Sequence, residues 1–264
     1  MTGEHMTGEL MIGELMIVDS WLVDDGQVLA FDAHVRRFAT ACDDMYGLGA
    51  DQVRDFMLAG MASVPAAGRW FPRAELTATG GEPRLEFRLR PAPPLGAAVR
   101  LWLSGEPDAR QHPAVKGPDL DWLAARRAAA VAAGADEAVL LDPDGRILEG
   151  AATSILWWRG NTLCAPPEDG GVLPGTTRSF LLTVAEGNGV PVALERPLPA
   201  DLSGLEVWAV NALHGIRPVT GWLDTGGASA RVAAGPATRA SHWRAILNEA
   251  AAAVPGRRSV SHGR

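Results

Sequence analysis

The stretch HPAVKGPDLDW contains Lys116, the one lysine among the 24 basic residues of this 264-residue chain. Arginine supplies positive charge and binds carboxylates or phosphates, but it does not lose its proton near neutral pH and attack a carbonyl carbon. Lysine can, once burial or a neighbouring cation lowers its pKa. A lone lysine in an arginine-rich chain therefore marks a place for amine chemistry, or is what compositional drift has left. Three further features could serve such chemistry, and each also has a plainer reading. Glu149 ends a strand-like run in ILEGAATSIL. It could pair with a protonated ring nitrogen, or simply face solvent. LPGTTRSF at 173–180 puts Thr176 and Thr177 at a helix start after a Pro-Gly turn. Free backbone N–H groups, hydroxyls and the positive helix end suit a phosphate, and they also suit an ordinary capped helix. FDAHVRRF carries Arg36 and Arg37 on an early helix. One of them could reach inward to an anion; the pair could equally be surface charge.

Taken together, the four features meet the needs of pyridoxal 5'-phosphate. That aldehyde needs a lysine for its Schiff base, a charged partner for its pyridine nitrogen and anion donors for its phosphate.

The elements that must hold these residues are legible in the same rows. MIVDSWLV and QVLAFD flank DDG and read as a hairpin. AHVRRFATACDDMYG has apolar residues at helical spacing and stops at Gly47, and DQVRDFMLAGMASV reads as a second helix opened by Asp51. RWFPRAELTAT, RLEFRLRPA and AVRLWLS read as strands. Beyond Lys116, DLDWLAARRAAAVAAG reads as a helix capped by Asp119 or Asp121 and closed by Gly134. EAVLLDPDGRILEG and TSILWWRGNTLCAP repeat a strand–turn–strand pattern, and TTRSFLLTVAEGNG is a helix. VPVALERPL, LEVWAVNAL and IRPVTGWL are strands, followed by the amphipathic helix TRASHWRAILNEAAAAV. The expected organisation is a disordered extension over 1–15, a small α+β domain over 16–112, a larger mixed β/α domain over 113–255 and a frayed tail over 256–264. Lys116 falls where the halves join, a common place for a ligand.

Composition narrows the function classes. Hydrophobic content of 47% with 21% charged residues fits a soluble globular protein. A net charge of −7 and the lack of a basic run argue against a nucleic-acid partner. Cys42 and Cys164 form no redox or metal spacing, and the six histidines are scattered, so no metal site is expected. No apolar run approaches the roughly 20 residues that span a bilayer. The repeated Met-x-Gly-Glu pentads at the start lack the charge and apolar core of a secretory signal. A reduced, cytoplasmic setting is the simplest expectation.

From VDSWLV to RPVTGWL the chain resembles the fold-type IV pyridoxal-phosphate enzymes, the class IV aminotransferase superfamily. HVRRF resembles the family's H-x-x-R-[LF], which implies that Arg37 binds the phosphate. GADEAVLLDPDGRILEGAATSILW resembles the stretch that carries the pyridine-nitrogen carboxylate, which falls on Glu149, and the Schiff-base lysine falls on Lys116. LPGTTR resembles LPG-[IV]-TR and places the phosphate-binding amides on Thr176 and Thr177. VNALHGIRPV at 210–219 resembles the segment of 4-amino-4-deoxychorismate lyases and puts Asn211 and Ala212 beside the cofactor. Ser20 then falls near the lyases' catalytic threonine. Arg110, His214 and Arg217 are the candidate substrate contacts. The chain departs from the family at Ser154 and Asp119, where asparagines are usual, and TATGGEPR stands where lyases carry an arginine-rich loop. The resemblance implies a two-domain α+β fold like that of D-amino-acid aminotransferase, a homodimer and a small amine or amino-acid substrate. Its leading implication for activity is formation of 4-aminobenzoate and pyruvate from aminodeoxychorismate. The alternatives are a class IV aminotransferase acting with a keto-acid acceptor, and a non-catalytic relative that binds the cofactor or a metabolite.

Overall fold

The computed structural model describes residues 15–79, 82–224 and 232–255. The expected tail at 256–264, and all of the expected extension except Leu15, lie outside the described residues. In chain order the elements are β1 (Ile17–Ser20), β2 (Val23–Asp24), β3 (Gln27–Val28), α1 (Phe31–Tyr46), α2 (Ala50–Ala62), β4 (Arg69–Trp70), β5 (Arg73–Thr79), β6 (Glu82–Arg88), β7 (Val99–Pro107) and α3 (Leu120–Ala132). There follow β8 (Glu137–Leu141), β9 (Ile147–Gly150), β10 (Ser154–Arg159), β11 (Thr162–Ala165), α4 (Thr176–Gly187), β12 (Val192–Leu194), β13 (Val207–Asn211), β14 (Gly215–Asp224), α5 (Ala240–Ala250) and β15 (Ala252–Ala253). The architecture is mixed α and β, as expected.

A three-stranded sheet in the order β1-β5-β6 packs with α1 and α2 around Trp21, Phe38, Met57, Met61 and Leu76. An eight-stranded sheet runs β12-β11-β10-β13-β14-β7-β8-β9. Its edge strand β9 leads straight into the interior strand β10 through a tight turn, in which the Gly150 N–H donates to the Thr153 carbonyl at 2.7 Å. The sheet must curl to make that connection. Its central strands are buried on both faces, and their period-2 alternation serves two cores. Ile155 and Trp157 of β10 join Ala209 of β13 in one core. Leu156 and Trp158 join Trp208, with Leu181 of α4 and Trp243 and Leu247 of α5, in the other.

Three expectations need correction. The strand β7, grouped above with the N-terminal half, lies in the large sheet, parallel to both β14 and β8. The break between the two sheets falls ahead of Val99. The alanine-rich end of the last helix is not helical to its end: Ala252–Ala253 pairs with β3 of the N-terminal hairpin. Helix propensity yields there because Val254 is buried in the N-terminal core and its N–H donates to the Gly26 carbonyl. Asp119 stands at the N-cap of α3 as expected, but neither it nor Asp51 caps a helix with its side chain. Gly49 precedes α2, and the Asp119 carboxylate turns back to accept from the N–H groups of Gln111 and His112 at 2.9 and 2.8 Å.

That last contact ties up the loop that carries Lys116. The loop is pinned again where the Val18 N–H donates to the Lys116 carbonyl at 2.8 Å. The next residue, Gly117, has φ +145°, and a Cβ there would overlap the Met16 carbonyl oxygen. Only glycine allows the lysine loop to lie this close to β1. Gly117→Ala is expected to cost on the order of 2–4 kcal/mol by urea denaturation, from strain and overlap together. Gly47→Ala, where φ is +64° in open space, should cost only about 1 kcal/mol. Equal costs would show that the close approach to β1 is not what fixes Gly117.

Candidate active site

Between the three-stranded sheet and the curled sheet lies a cavity of about 350 Å³. Lys116, Ser20, Arg37, Glu149, Thr176, Thr177, Asn211, Ala212, Arg110, His214 and Arg217 all line it. The residues singled out from sequence are thus gathered in one place, but they do different things there.

Lys116 approaches Asp19, with Nζ 3.9 Å from Oδ1. Asp19 has no solvent exposure. Its carboxylate takes a two-pronged contact from Arg37, Nε to Oδ2 at 2.9 Å and Nη2 to Oδ1 at 2.8 Å. It also accepts from the Ser20 N–H at 2.7 Å and lies 2.8 Å from His34 Nδ1. Burial opposes its ionisation, but Arg37, His34 and Lys116 outweigh burial and hold the carboxyl well below the usual range. His34 itself is held below its usual pKa, chiefly by burial. A neutral ring donates from Nδ1 to Asp19, which leaves Nε2 to accept from the Thr176 hydroxyl at 3.2 Å. The lysine is affected in turn. Burial lowers its pKa from 10.5 to about 8; Asp19 opposes that shift, and Arg37, Arg73 and Arg90 add to it. About a tenth of the amine is then neutral and nucleophilic at pH 7, far more than in a free lysine.

Arg37 was expected to grip a phosphate directly. Its guanidinium is anchored to Asp19 and, through Nη1, to the Pro174 carbonyl at 3.0 Å, just ahead of α4. Its neighbour Arg36 is exposed. At the start of α4 no side chain caps the helix. The residues Thr176, Thr177 and Arg178 are only 6%, 3% and 4% exposed, yet their N–H groups have no acceptor among the described residues. Buried amides of this kind are seldom left unpaired.

Glu149 is buried at another wall. Its Oε1 accepts from Arg110 Nη1 at 2.7 Å and from the Leu173 N–H at 2.9 Å. Burial raises its pKa to about 7, against the pull of Arg110. Arg110 is therefore not a free substrate contact as expected. Its guanidinium is spent on Asp108, on Glu149 and on the carbonyls of Pro113 and Gly171. Asn211 shapes a turn: Oδ1 accepts from the N–H groups of Leu213 and His214 at 3.1 and 2.8 Å, and Nδ2 donates to the Ala152 carbonyl. The Ala212 carbonyl accepts from the Leu22 N–H.

Sequence reasoning missed four residues of the site. Asp19 and His34 form the buried network just described, and Arg73 and Arg90 line the cavity from the small sheet. Arg90 donates from Nη2 to Ser20 Oγ at 3.3 Å and from Nε to the Phe71 carbonyl at 3.2 Å. Arg73 pairs with Glu75. Two arginines thus stand at the cavity, one at the start of β5 and one just beyond β6. His34, three residues before Arg37, shares its helix face and could have been found from that spacing. Nothing local marks Asp19.

Residues 16–222 match the model of the family described as amino-transferase class IV. An aminodeoxychorismate lyase of Bacillus subtilis (strain 168) is 33% identical over 85 residues, 32% of this chain and 29% of that protein. The matched stretch thus spans less than a third of that relative. A solved candidate 4-amino-4-deoxychorismate lyase from Legionella pneumophila superposes with a TM-score of 0.78 at 17% identity, covering 95% of this chain and 96% of its own. A branched-chain aminotransferase from Thermoproteus uzoniensis gives 0.75 at 19% identity, covering 89% and 86%. At these identities the two structures speak for the fold alone. Among the described residues, no helix is long and apolar enough to cross a membrane.

With one lysine in the chain, only one side-chain amine takes up label, and Lys116→Arg identifies the separate signal of the N-terminal amine. After reductive methylation with ¹³C-formaldehyde, the side-chain signal of cofactor-free protein should titrate near 8. Asp19→Asn removes the carboxylate that favours the ammonium, so it should lower that value further. Arg73→Gln should raise it. A wild-type midpoint at 10.5 would show that the amine is not in this electrostatic setting.

Proposed function

Because the chain belongs to the amino-transferase class IV family, we propose that it is an enzyme that works with pyridoxal 5'-phosphate on Lys116, and that its reaction is the conversion of aminodeoxychorismate to 4-aminobenzoate and pyruvate. The observation that carries the cofactor is the set of buried, acceptor-free amides at the start of α4, in one cavity with the sole lysine and with Glu149. A phosphate satisfies those amides, and the helix dipole favours its charge. The residues present therefore fit the group.

When bound, the cofactor supplies an aldehyde for an amine and a ring that takes up an electron pair. The chain does the rest. Thr176 and Thr177 offer amides and hydroxyls to the phosphate, with Arg37 beside them. Glu149 holds a proton at the ring nitrogen; a carboxyl raised to about 7 by burial and steadied by Arg110 suits that sharing. Lys116 Nζ would take the proton from the substrate's amine-bearing carbon. Ser20 Oγ, held by Arg90, helps deliver a proton to the departing enolpyruvyl group. Arg73 and Arg90 give the cavity a cationic wall suited to a carboxylate. The resemblance of the Asn211–His214 turn and the Bacillus subtilis relative favour the lyase reading over a transaminase. A homodimer in the cytoplasm goes with this reading.

The two readings separate on stoichiometry. A lyase needs no keto-acid acceptor, whereas a transaminase given a donor alone stops after one half-reaction. Aminodeoxychorismate is expected to give many pyruvates per enzyme with no acceptor added. Ser20→Ala should slow this by about 10²-fold or more, the usual scale of a proton-transfer group, without loss of bound cofactor. No pyruvate from aminodeoxychorismate, together with stoichiometric conversion to pyridoxamine phosphate by an amine donor, would make the protein a transaminase.

A further inference from the structure

Four arginine side chains lining the cavity are nearly closed off from solvent, and one of them is unlike the rest. Arg37, Arg110 and Arg178 are 12%, 4% and 5% exposed, and each donates to carboxylates and carbonyls. Arg217, on β14, is 9% exposed and donates no hydrogen bond to any described residue. The nearest carboxylate oxygen, Glu137 Oε2, is 3.9 Å from Nη2, beyond hydrogen-bond reach. Its Nε is buried without a partner, as are Glu137 Oε2 and Thr153 Oγ1 beside it in the same cavity wall. A buried guanidinium without acceptors is costly, and so is a buried carboxylate oxygen without a donor. Glu137 Oε2 and Thr153 Oγ1 are sealed by the protein itself, but the Arg217 guanidinium lines the cavity with N–H groups that no described residue accepts.

The chemistry of that wall is that of an anion seat. Arg127 of α3 adds a second guanidinium at its edge. His214 accepts from the Gly96 N–H through Nδ1 at 3.1 Å, which puts the proton of the neutral ring on Nε2. Burial, helped by Arg217 and Arg127, lowers the His214 pKa to about 4, so the ring stays a neutral donor. Against two guanidiniums stand Glu137, itself raised to about 7 by burial, and Asp136, which is already paired with Arg100. The surplus is positive. A guanidinium fork with free N–H groups matches the two oxygens of a carboxylate. The phosphate of the reading above already has its seat at α4.

We propose that Arg217, with His214 Nε2–H and Arg127, is the seat of one of the two carboxylates that the substrate named above carries, the other meeting Arg73 and Arg90. This rests on the reading that Lys116 meets the substrate's amine in this cavity. It assigns the recognition of the two anionic groups to different sheets, with the lysine loop joined to both. Glu137 stays beside Arg217, its Oε1 held by the Ala138 N–H at 3.2 Å.

Calorimetric titration of the full-length protein tests this without turnover, using isophthalate and adipate against benzoate and hexanoate. Wild type should bind each dicarboxylate at least tenfold more tightly than its monocarboxylate counterpart. Arg217→Gln should abolish that preference while benzoate affinity stays within twofold, and Arg127→Gln should weaken it two- to fivefold. Equal binding of both classes by wild type, or a preference that survives both substitutions, would reduce Arg217 to a solvated ion pair with Glu137 and overturn the proposal. If Arg217→Gln does not fold, Arg127→Gln combined with His214→Leu decides on the same tenfold criterion. A dicarboxylate preference lost with Arg217, in a protein that binds no cofactor at Lys116, would support the seat and count against the functional reading.

Discussion

A carboxylate sealed from water must be surrounded by its own compensation, and Asp19 is sealed completely. Its partners come from three parts of the chain: the Ser20 amide from its own strand, Arg37 and His34 from α1, and Lys116 from the loop between β7 and α3. Two of those partners reach on to the approach to α4, Arg37 to the Pro174 carbonyl and His34 to the Thr176 hydroxyl. The lysine and the amides proposed to hold the phosphate are thus located by one buried charge. A buried ion pair is worth having only if its geometry is good and its remaining lone pairs are satisfied. Here Oδ1 and Oδ2 both are, which is why the strand, the helix and the loop have little freedom to move independently.

The cavity contains a second buried carboxylate under the opposite regime. Glu149 has one guanidinium and one amide where Asp19 has a bidentate arginine, an imidazole, an amide and an amine nearby. Burial therefore prevails at Glu149 and lifts it to about 7, while the surrounding charges prevail at Asp19. Two carboxyls driven apart in this way can divide the work of one site: one is a permanent anion beside the amine, the other a group able to share a proton. Arg110 and Asp108 set the balance from behind Glu149, and that is a different task from touching substrate.

Much of the site was legible from residue type alone. A lysine retained in an arginine-rich chain, a helix opening on Pro-Gly-Thr-Thr and a carboxylate at a strand end each carry their chemistry locally. What could not be read was pairing. Asp19 sits in MIVDS, where the alternation of a strand is visible but its neighbours on α1 and the lysine loop are not. Arg110 is close in sequence to Lys116 and was read with the substrate, whereas its acceptors lie on β9, at Gly171 and at Asp108. Arg73 and Arg90 look like ordinary strand charge until β5 and β6 are folded against the cavity. The fold shows the same division. Helices and most strands followed their periodicity, but β7 has the same alternation whichever sheet it joins. The alanine run at the C-terminus gave way only because Val254 fills the N-terminal core.

The central claim is that the amine beside Asp19 carries the cofactor. Borohydride reduction of the protein reconstituted with pyridoxal 5'-phosphate, followed by peptide mapping, tests it most directly. The account predicts a single pyridoxyl group, on Lys116, and none in Lys116→Arg, which keeps the charge but cannot form the bond. A pyridoxyl group elsewhere in wild type, or visible cofactor absorbance that persists in Lys116→Arg with no lysine left to carry it, would contradict the account.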